Sequence, residues 1–315
     1  MVGFCRRVVY DDGSAVMYGS SDTPRFKGVD GPQDHGVEVL FFWDEADLLT
    51  GVIACVACPA QVVEAQNYVS ADYWAAVRAE LRKKFHEDLF VYPVISPAGD
   101  QSPRDLVRRG RGEPSMRDES GLEEMGRRIA NAVEYAFHMA QSDVHKEMVF
   151  THHVEELDLP KRKATRAEME DARKVYAELA AQKPDTRSTD GHYLRRAERT
   201  IERFEQQGED PRFPIDLHVI RLGDIAIATN PFELFVEWGL QIKARSRAMH
   251  TFAVELSGIA GPAYLPTAKA VAGGGYGAEI VDNIVGPEGG QILVDRTVEL
   301  INGMWDDEAE YGRWP

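Results

Sequence analysis

The feature that most constrains the fold is the alternation of short apolar runs, rich in β-branched and aromatic residues, with longer stretches of helical spacing. Runs at 37–43, 51–57 and 89–95 have the composition of strands and are bounded by Gly, Asp and Pro. The stretches 70–85 and 119–141 repeat apolar residues at helical intervals. This alternation indicates a mixed α/β architecture, with mixed sheets flanked by helices.

The remaining segments extend this pattern over one large domain, residues 1–304, followed by an acidic tail at 305–315. The stretch 104–115 is rich in Arg and Gly, and it is predicted to be an exposed loop. Two charged stretches are interpreted as solvated surface helices in preference to a nucleic-acid or partner surface. The further predicted elements are strands at 7–10, 146–157 and 251–257, the charged helices at 166–182 and 192–207, a hairpin at 214–221 and 224–229, and helices at 233–246 and 291–304.

Composition and charge exclude several classes of protein. The chain has 315 residues, and its 36 Lys+Arg against 52 Asp+Glu give a net charge of −16, which argues against general nucleic-acid binding. No run approaches the ~20 apolar residues of a transmembrane helix. The first residues lack the apolar core of a signal peptide. The sequence therefore indicates neither a membrane span nor a compartment, and the oligomeric state is equally open.

The three cysteines, Cys5, Cys55 and Cys58, do not form a disulfide framework. Cys55 and Cys58 have Cys-x-x-Cys spacing, but residues three apart on an extended strand face opposite sides. A redox pair or zinc knuckle is therefore not expected. The adjacent His152 and His153 fall on a predicted strand, so they too should point to opposite faces and not share a metal.

Polar side chains follow apolar, strand-like runs in two parts of the chain. The segment Ala98-Gly-Asp-Gln-Ser-Pro103 contains Asp100 and Ser102. The stretch 223–276 holds Glu233 in Asn-Pro-Phe-Glu, Tyr264 in Ala-Tyr-Leu-Pro-Thr, and Tyr276 after three glycines. Loops carried by a rigid scaffold are where catalytic and binding groups concentrate. A serine, carboxylates and two phenols placed in this way indicate a hydrolytic or metal site.

The order and wording of these segments resemble the N-terminal catalytic domain of the neutral/alkaline (non-lysosomal) ceramidase family, zinc amidases that cleave the N-acyl bond of ceramide. The resemblance runs from about residue 6 to residue 300. The family's opening segment, with its first zinc histidine, and its C-terminal immunoglobulin-like domain have no counterpart in these residues. The family's members are often exported.

The resemblance implies roles for the two segments. Asp100-Gln-Ser102-Pro resembles the family's Gly-Asp-x-Ser-Pro, which would place Asp100 and Ser102 in the amidase centre beside zinc. From the residues alone, a loop serine or helix N-cap before a proline is the favoured interpretation of Ser102. Glu233 corresponds to a zinc-ligating glutamate, and its expected place is the first turn of a helix, where the helix dipole alone would favour a carboxylate.

Four further residues receive roles in the same way. Tyr264 corresponds to a zinc-ligating tyrosine, and Tyr276, at the family's spacing from it, to a phenol that donates to the oxyanion. Either tyrosine taken alone would be interpreted as a packing residue. Cys58 stands where the family has its second zinc histidine, so it is either a thiolate ligand or a small buried apolar residue. Arg6 corresponds to an arginine that lines the substrate pocket.

The sequence thus predicts a metal-dependent hydrolase that cleaves an amide bond in a small or lipid-like N-acyl substrate. Zinc would activate either a water molecule or the Ser102 hydroxyl. The alternative is a non-catalytic or metal-free relative that binds a ligand or partner.

Overall fold

A computed structural model describes residues 1–114, 116–258 and 263–305. The strands are β1 Phe4–Cys5, β2 Arg7–Tyr10, β3 Ala15–Met17, β4 Phe26–Val29, β5 Val37–Trp43, β6 Leu49–Val56, β7 Phe90–Ile95, β8 Gln101–Ser102, β9 Phe150–Pro160, β10 Arg212–Leu222, β11 Ile225–Thr229, β12 Glu233–Leu234, β13 His250–Val254 and β14 Tyr264–Leu265. The helices are α1 Tyr73–Lys84, α2 Leu106–Gly110, α3 Glu119–Ala140, α4 Arg166–Ala180, α5 Thr189–Gln206, α6 Val236–Arg245, α7 Ala268–Gly273 and α8 Pro287–Gly303.

One of the two larger sheets has the strand order β5-β6-β7. β5 pairs antiparallel with β6, and β6 pairs parallel with β7. Alternate residues of these strands, such as Val52 and Val91, pack against Val77 of α1 and Ile129 of α3 in a shared apolar core. The Asp72 carboxylate caps α1 and also accepts the backbone N–H groups of residues 62 and 63, so it ties the loop after β6 to the helix.

The other larger sheet has the order β13-β11-β10-β9. β10 pairs antiparallel with both β9 and β11, whereas β11 pairs parallel with β13. A second apolar core lies between this sheet and the helices α6 and α8, with Leu217 on the sheet side and Trp238 and Leu293 on the helix side.

The two sheets meet at the carboxyl ends of β7 and β13, where the Glu255 N–H donates to the Ile95 carbonyl over 3.1 Å. The backbone carbonyl of Ile95 therefore points away from β6. Backbone groups two residues apart on a strand point to the same side, so the backbone nitrogen of Pro93 also faces away from β6. Proline has no N–H to donate, so β7 offers an interrupted edge there. A cavity of about 420 Å³ lies beside this edge, and Tyr92, Pro93 and Phe252 are among its lining residues.

The mixed α/β architecture with helix-flanked sheets in a single domain is confirmed. The loop predicted at 104–115 was wrong in part, because Arg104 is buried and α2 follows it. The helix predicted from residue 233 begins at Val236 instead, and Glu233 lies on β12 because its backbone pairs with β14. Residues 306–315 of the predicted tail lie outside the described residues, and Trp305 packs with its ring centroid 4.2 Å from the Arg221 guanidinium carbon.

Within the described ranges, no helix combines the length and apolar character needed to cross a membrane.

A buried ion cluster joins α6 to the first sheet. The Lys243 Nζ lies 2.7 Å from Asp34 Oδ2 and also contacts the Glu38 carboxylate on β5. All three side chains are less than one-fifth exposed. Removing one member of such a cluster leaves uncompensated charge in a poorly solvated place.

We therefore expect Lys243→Met to lower the free energy of unfolding by about 3 kcal/mol, measured by urea denaturation. Lys83→Met is the matched control, because Lys83 pairs with Glu80 on the exposed face of α1 and should leave the midpoint nearly unchanged. Equal losses in the two variants would contradict a special role for the buried cluster.

Candidate functional site

Several of the predicted site residues lie around Arg6, whose guanidinium contacts the Gly99 carbonyl and the Tyr264 hydroxyl. Arg6 follows β1, which pairs antiparallel with β8 so that Phe4 lies opposite Ser102. The Arg6 N–H donates to the Asp100 carbonyl over 2.8 Å. The N-terminal residues are therefore held directly against the loop that contains Asp100 and Ser102.

Arg6 is only 3% exposed, and nearly all of the N–H donors of its guanidinium have acceptors. Nη1 donates to Gln61 Oε1 over 3.0 Å and to the Tyr18 hydroxyl over 3.3 Å. Nη2 donates to the Gly99 carbonyl over 2.9 Å and to the Tyr264 hydroxyl over 3.3 Å. Nε is buried and has no partner among the described residues. One of the five guanidinium N–H groups is thus left without a partner among the described residues.

Glu233 and Tyr264 form a pair beside Arg6. They lie opposite each other in the parallel register of β12 and β14, and the Tyr264 hydroxyl donates to the Glu233 carboxylate. Burial and the Glu233 charge raise the pKa of Tyr264 well above its usual range, against the opposing effect of Arg6. Tyr264 is therefore a neutral phenol between a cation and an anion.

Tyr276 stands at the outer side of this group. Its ring meets that of Tyr264 edge-on, with 5.5 Å between centroids, and 49% of the residue is exposed. The fully buried Arg7 fixes its backbone, since Nη1 donates to the Tyr276 carbonyl and Nη2 to the Gly274 carbonyl, over 3.1 and 2.8 Å. Its hydroxyl is therefore the accessible phenol of the site.

Ser102 and Asp100 belong to the same loop but make other contacts. The Ser102 hydroxyl is fully buried and accepts the Arg104 N–H over 3.1 Å. The Asp100 carboxylate accepts the Val236 N–H over 2.9 Å and the Gln101 side-chain amide over 3.0 Å. Burial raises the pKa of the Asp100 carboxyl. No contact among the described residues joins the Ser102 hydroxyl to Glu233 or Tyr264.

Cys58 lies in the apolar core under the first sheet, among residues such as Val62 and Tyr73. Its thiol reaches the Pro59 carbonyl over 3.7 Å and interacts with the Tyr73 side chain, while its own carbonyl accepts the Tyr73 hydroxyl over 2.5 Å. Burial raises the pKa of the Cys58 thiol well above its usual range. These surroundings suit a small apolar residue better than a thiolate.

The two adjacent histidines separate on β9. His152 stacks on His218, with their ring nitrogens 3.1 Å apart, whereas His153 lies 3.6 Å from Glu155. Among the residues that the structure describes, no group of three or more His, Cys, Asp or Glu side chains is arranged to hold a metal ion.

Comparison with solved structures decides the fold. The chain superposes on a neutral ceramidase from Pseudomonas aeruginosa with a TM-score of 0.61 at 16% identity, and on a ceramidase in complex with C2 with a TM-score of 0.59 at 13% identity. The fold is ceramidase-like. In both cases 97% of this chain is covered but only 52% and 53% of the other, so the chain spans about half the length of those ceramidases. No protein-family model matches, and no curated protein has a similar sequence.

The ceramidase-like fold raises the question whether this site fits zinc. Glu233 and Tyr264 fit, because a carboxylate and a phenol are adjacent oxygen donors. Cys58 does not fit, because its thiol is enclosed by apolar side chains. Arg6 donates to the same Tyr264 hydroxyl, so an ion bound there would have a cation beside it. Two of the three predicted ligands are therefore suited to the metal.

Sequence reasoning missed three residues of the site. Tyr18 and Gln61 hold the Arg6 guanidinium, and nothing in the local sequence sets them apart. Glu255 is a buried carboxyl whose Oε2 accepts the Leu234 N–H over 2.7 Å. No local pattern marks it, because its partner is a backbone group of another segment.

Gly99 allows the closest approach in the site. Its N–H donates to the Leu234 carbonyl over 2.9 Å, and a Cβ on Gly99 would overlap the Glu233 carbonyl oxygen. We expect Gly99→Ala to push β12 away from the loop and to lower the free energy of unfolding by about 1–3 kcal/mol, measured by chemical denaturation. Gly303→Ala is the control, since a Cβ there meets no atom within 4 Å. Equal stability of Gly99→Ala and wild type would contradict this packing.

Proposed function

We propose that this chain is a ceramidase-like hydrolase domain that cleaves the amide bond of a small or lipid-like N-acyl compound. The observation that carries the proposal is the buried group of Arg6, Glu233 and Tyr264, with Tyr276 at its accessible side, at the strand ends of a ceramidase-like fold. Perturbed and buried ionisable groups at one edge of a sheet are characteristic of catalytic sites.

The residues suggest a division of roles. The free Nε–H of Arg6 would donate to an oxygen of the substrate and orient it. The Tyr276 hydroxyl would donate to the oxyanion that develops when the amide carbonyl is attacked. The nucleophile would be water or the Ser102 hydroxyl, and Ser102 would need to exchange its contact with Arg104 for one with substrate. A catalytic role for Asp100 stays a prediction.

We further propose that zinc is the metal of this site and that Glu233 and Tyr264 hold it. Zinc, when bound, supplies a Lewis acid that polarises a carbonyl and lowers the pKa of a bound water. Glu233 would give the negative charge that keeps the ion beside Arg6.

The role of Tyr276 is tested by Tyr276→Phe. We expect kcat for hydrolysis of a short-chain N-acylsphingosine to fall about 10²–10³-fold, measured by release of the free amine. The melting temperature should not change, because the side chain is half-exposed. Tyr135→Phe is the matched control, because Tyr135 is an exposed tyrosine on α3. Unchanged turnover in Tyr276→Phe would remove the phenol from the mechanism.

The metal is tested by the zinc content per chain of the purified protein. We expect Glu233→Gln to lose the bound zinc, because it removes the charged ligand. Cys58→Ala should keep the zinc, because the thiol lies in the apolar core. If Cys58→Ala loses the metal, Cys58 is a ligand after all. A folded wild-type chain without zinc would contradict the metal proposal.

A second candidate function is that of a non-catalytic relative, which would bind a ligand at the site formed by Arg6, Glu233, Tyr264 and Tyr276. Two observations favour it: the position of the Cys58 thiol within the apolar core and the full burial of the Ser102 hydroxyl. Calorimetric binding of an N-acyl compound by wild type, without release of the amine, would support this candidate over the hydrolase.

A further inference from the structure

β12, which carries Glu233, has a strand partner on one side only. On that side the Glu233 N–H donates to the Ala263 carbonyl over 3.1 Å, and the Phe235 N–H donates to the Leu265 carbonyl over 3.2 Å. Both β12 and β14 are only two residues long. Pairing of this length cannot by itself fix the position of a side chain.

On the other side of β12 the partner is a side chain. The Glu255 Oε2 accepts the Leu234 N–H over 2.7 Å, and the backbone of Ala98 lies near enough to lower the pKa of the same carboxyl. The Gly99 N–H in turn donates to the Leu234 carbonyl over 2.9 Å. The free edge of β12 is therefore held by the Glu255 carboxylate together with the backbone of the loop after β7.

Glu255 is also fixed at its own backbone. Its N–H donates to the Ile95 carbonyl, which joins the end of β13 to the end of β7. The residue is 3% exposed, and the charges of Glu233 and Arg6 both act on its carboxyl. Four segments that carry the site thus converge on a single residue that no sequence motif marks.

We propose that Glu255 is a positioning residue, whose carboxyl holds Glu233 and the loop from Gly99 to Ser102 at a fixed separation. Glu255 would act through the backbone of β12, because its carboxylate accepts the Leu234 N–H. Its effect on turnover rests on the proposed function, whereas its effect on the backbone does not. A displacement of about 1 Å at a catalytic group can cost about 10²-fold in rate.

The chemistry of the contact identifies the informative substitutions. Because the carboxylate meets the Leu234 N–H over 2.7 Å, a side chain of the same length is the conservative replacement. Glu255→Gln keeps both the reach and an acceptor oxygen. Glu255→Asp keeps the acid but is one methylene too short to meet the Leu234 N–H in the same way. We therefore expect Glu255→Gln to preserve these contacts better than Glu255→Asp.

The experiment compares these variants by amide hydrogen exchange and by kinetics. In Glu255→Asp we expect exchange of the segments 96–102 and 233–236 to become at least tenfold faster. We expect kcat for the N-acyl substrate to fall about 10²-fold, with KM changed less than threefold. Glu255→Gln should stay within tenfold of wild type in kcat and keep slow exchange in both segments.

Leu293→Ala is the matched control, because Leu293 is fully buried in α8 in the same core as β12 but does not contact the site loop. It should lower the overall stability and leave both segments and kcat as in wild type. If Glu255→Asp behaves like Leu293→Ala, or if Gln is as impaired as Asp, the positioning role is wrong.

The two proposals fail separately. Hydrogen exchange needs no turnover, so an inactive wild type with the expected exchange pattern removes the hydrolase and keeps the role of Glu255. If the wild type is active but Glu255→Asp changes neither kcat nor hydrogen exchange, the hydrolase proposal stands and the role of Glu255 is wrong.

Discussion

The burial of one positive charge, that of Arg6, organises the region where the strands end. A guanidinium withdrawn from water is costly unless its N–H groups find acceptors. Here those acceptors come from residues as distant in sequence as Gln61, Gly99 and Tyr264. The loop after β7, the loop after β6 and β14 are therefore brought to one point by the same requirement. The proximity of Tyr264 to Glu233 and Tyr276 follows from that convergence.

Burial of charge also explains the neighbouring parts of the fold. Arg7, next in sequence to Arg6, satisfies its donors with Asp30 and with carbonyls of the segment that carries Tyr276. Arg196 bridges from α5 to Asp282, and its guanidinium carbon lies 5.8 Å from the centre of the Tyr276 ring. The charged surface helices thus do more than face solvent, because one of their side chains supports the wall of the site.

The sequence could predict elements whose side chains repeat over several turns or residues. β5, α1 and α3 appear at or within a few residues of their predicted bounds because their periodic patterns reflect burial on one face. β12 could not be predicted, since two residues have no period, and its pairing depends on β14, which lies about 30 positions later. Arg6, Glu233, Tyr264 and Tyr276 were found through a family resemblance. Glu255 was missed because its partners are backbone groups from other segments, which leave no local pattern.

Pro93 has a consequence for the space behind the site. An N–H at that position could donate a further ladder hydrogen bond from the outer edge of β7 towards β13, whereas proline has none to donate. Among the described residues, one backbone hydrogen bond joins the ends of the two strands, from the Glu255 N–H to the Ile95 carbonyl. Pro93 is in the lining of the hollow between Tyr92 and Phe252, so its ring borders that space without offering it a backbone donor.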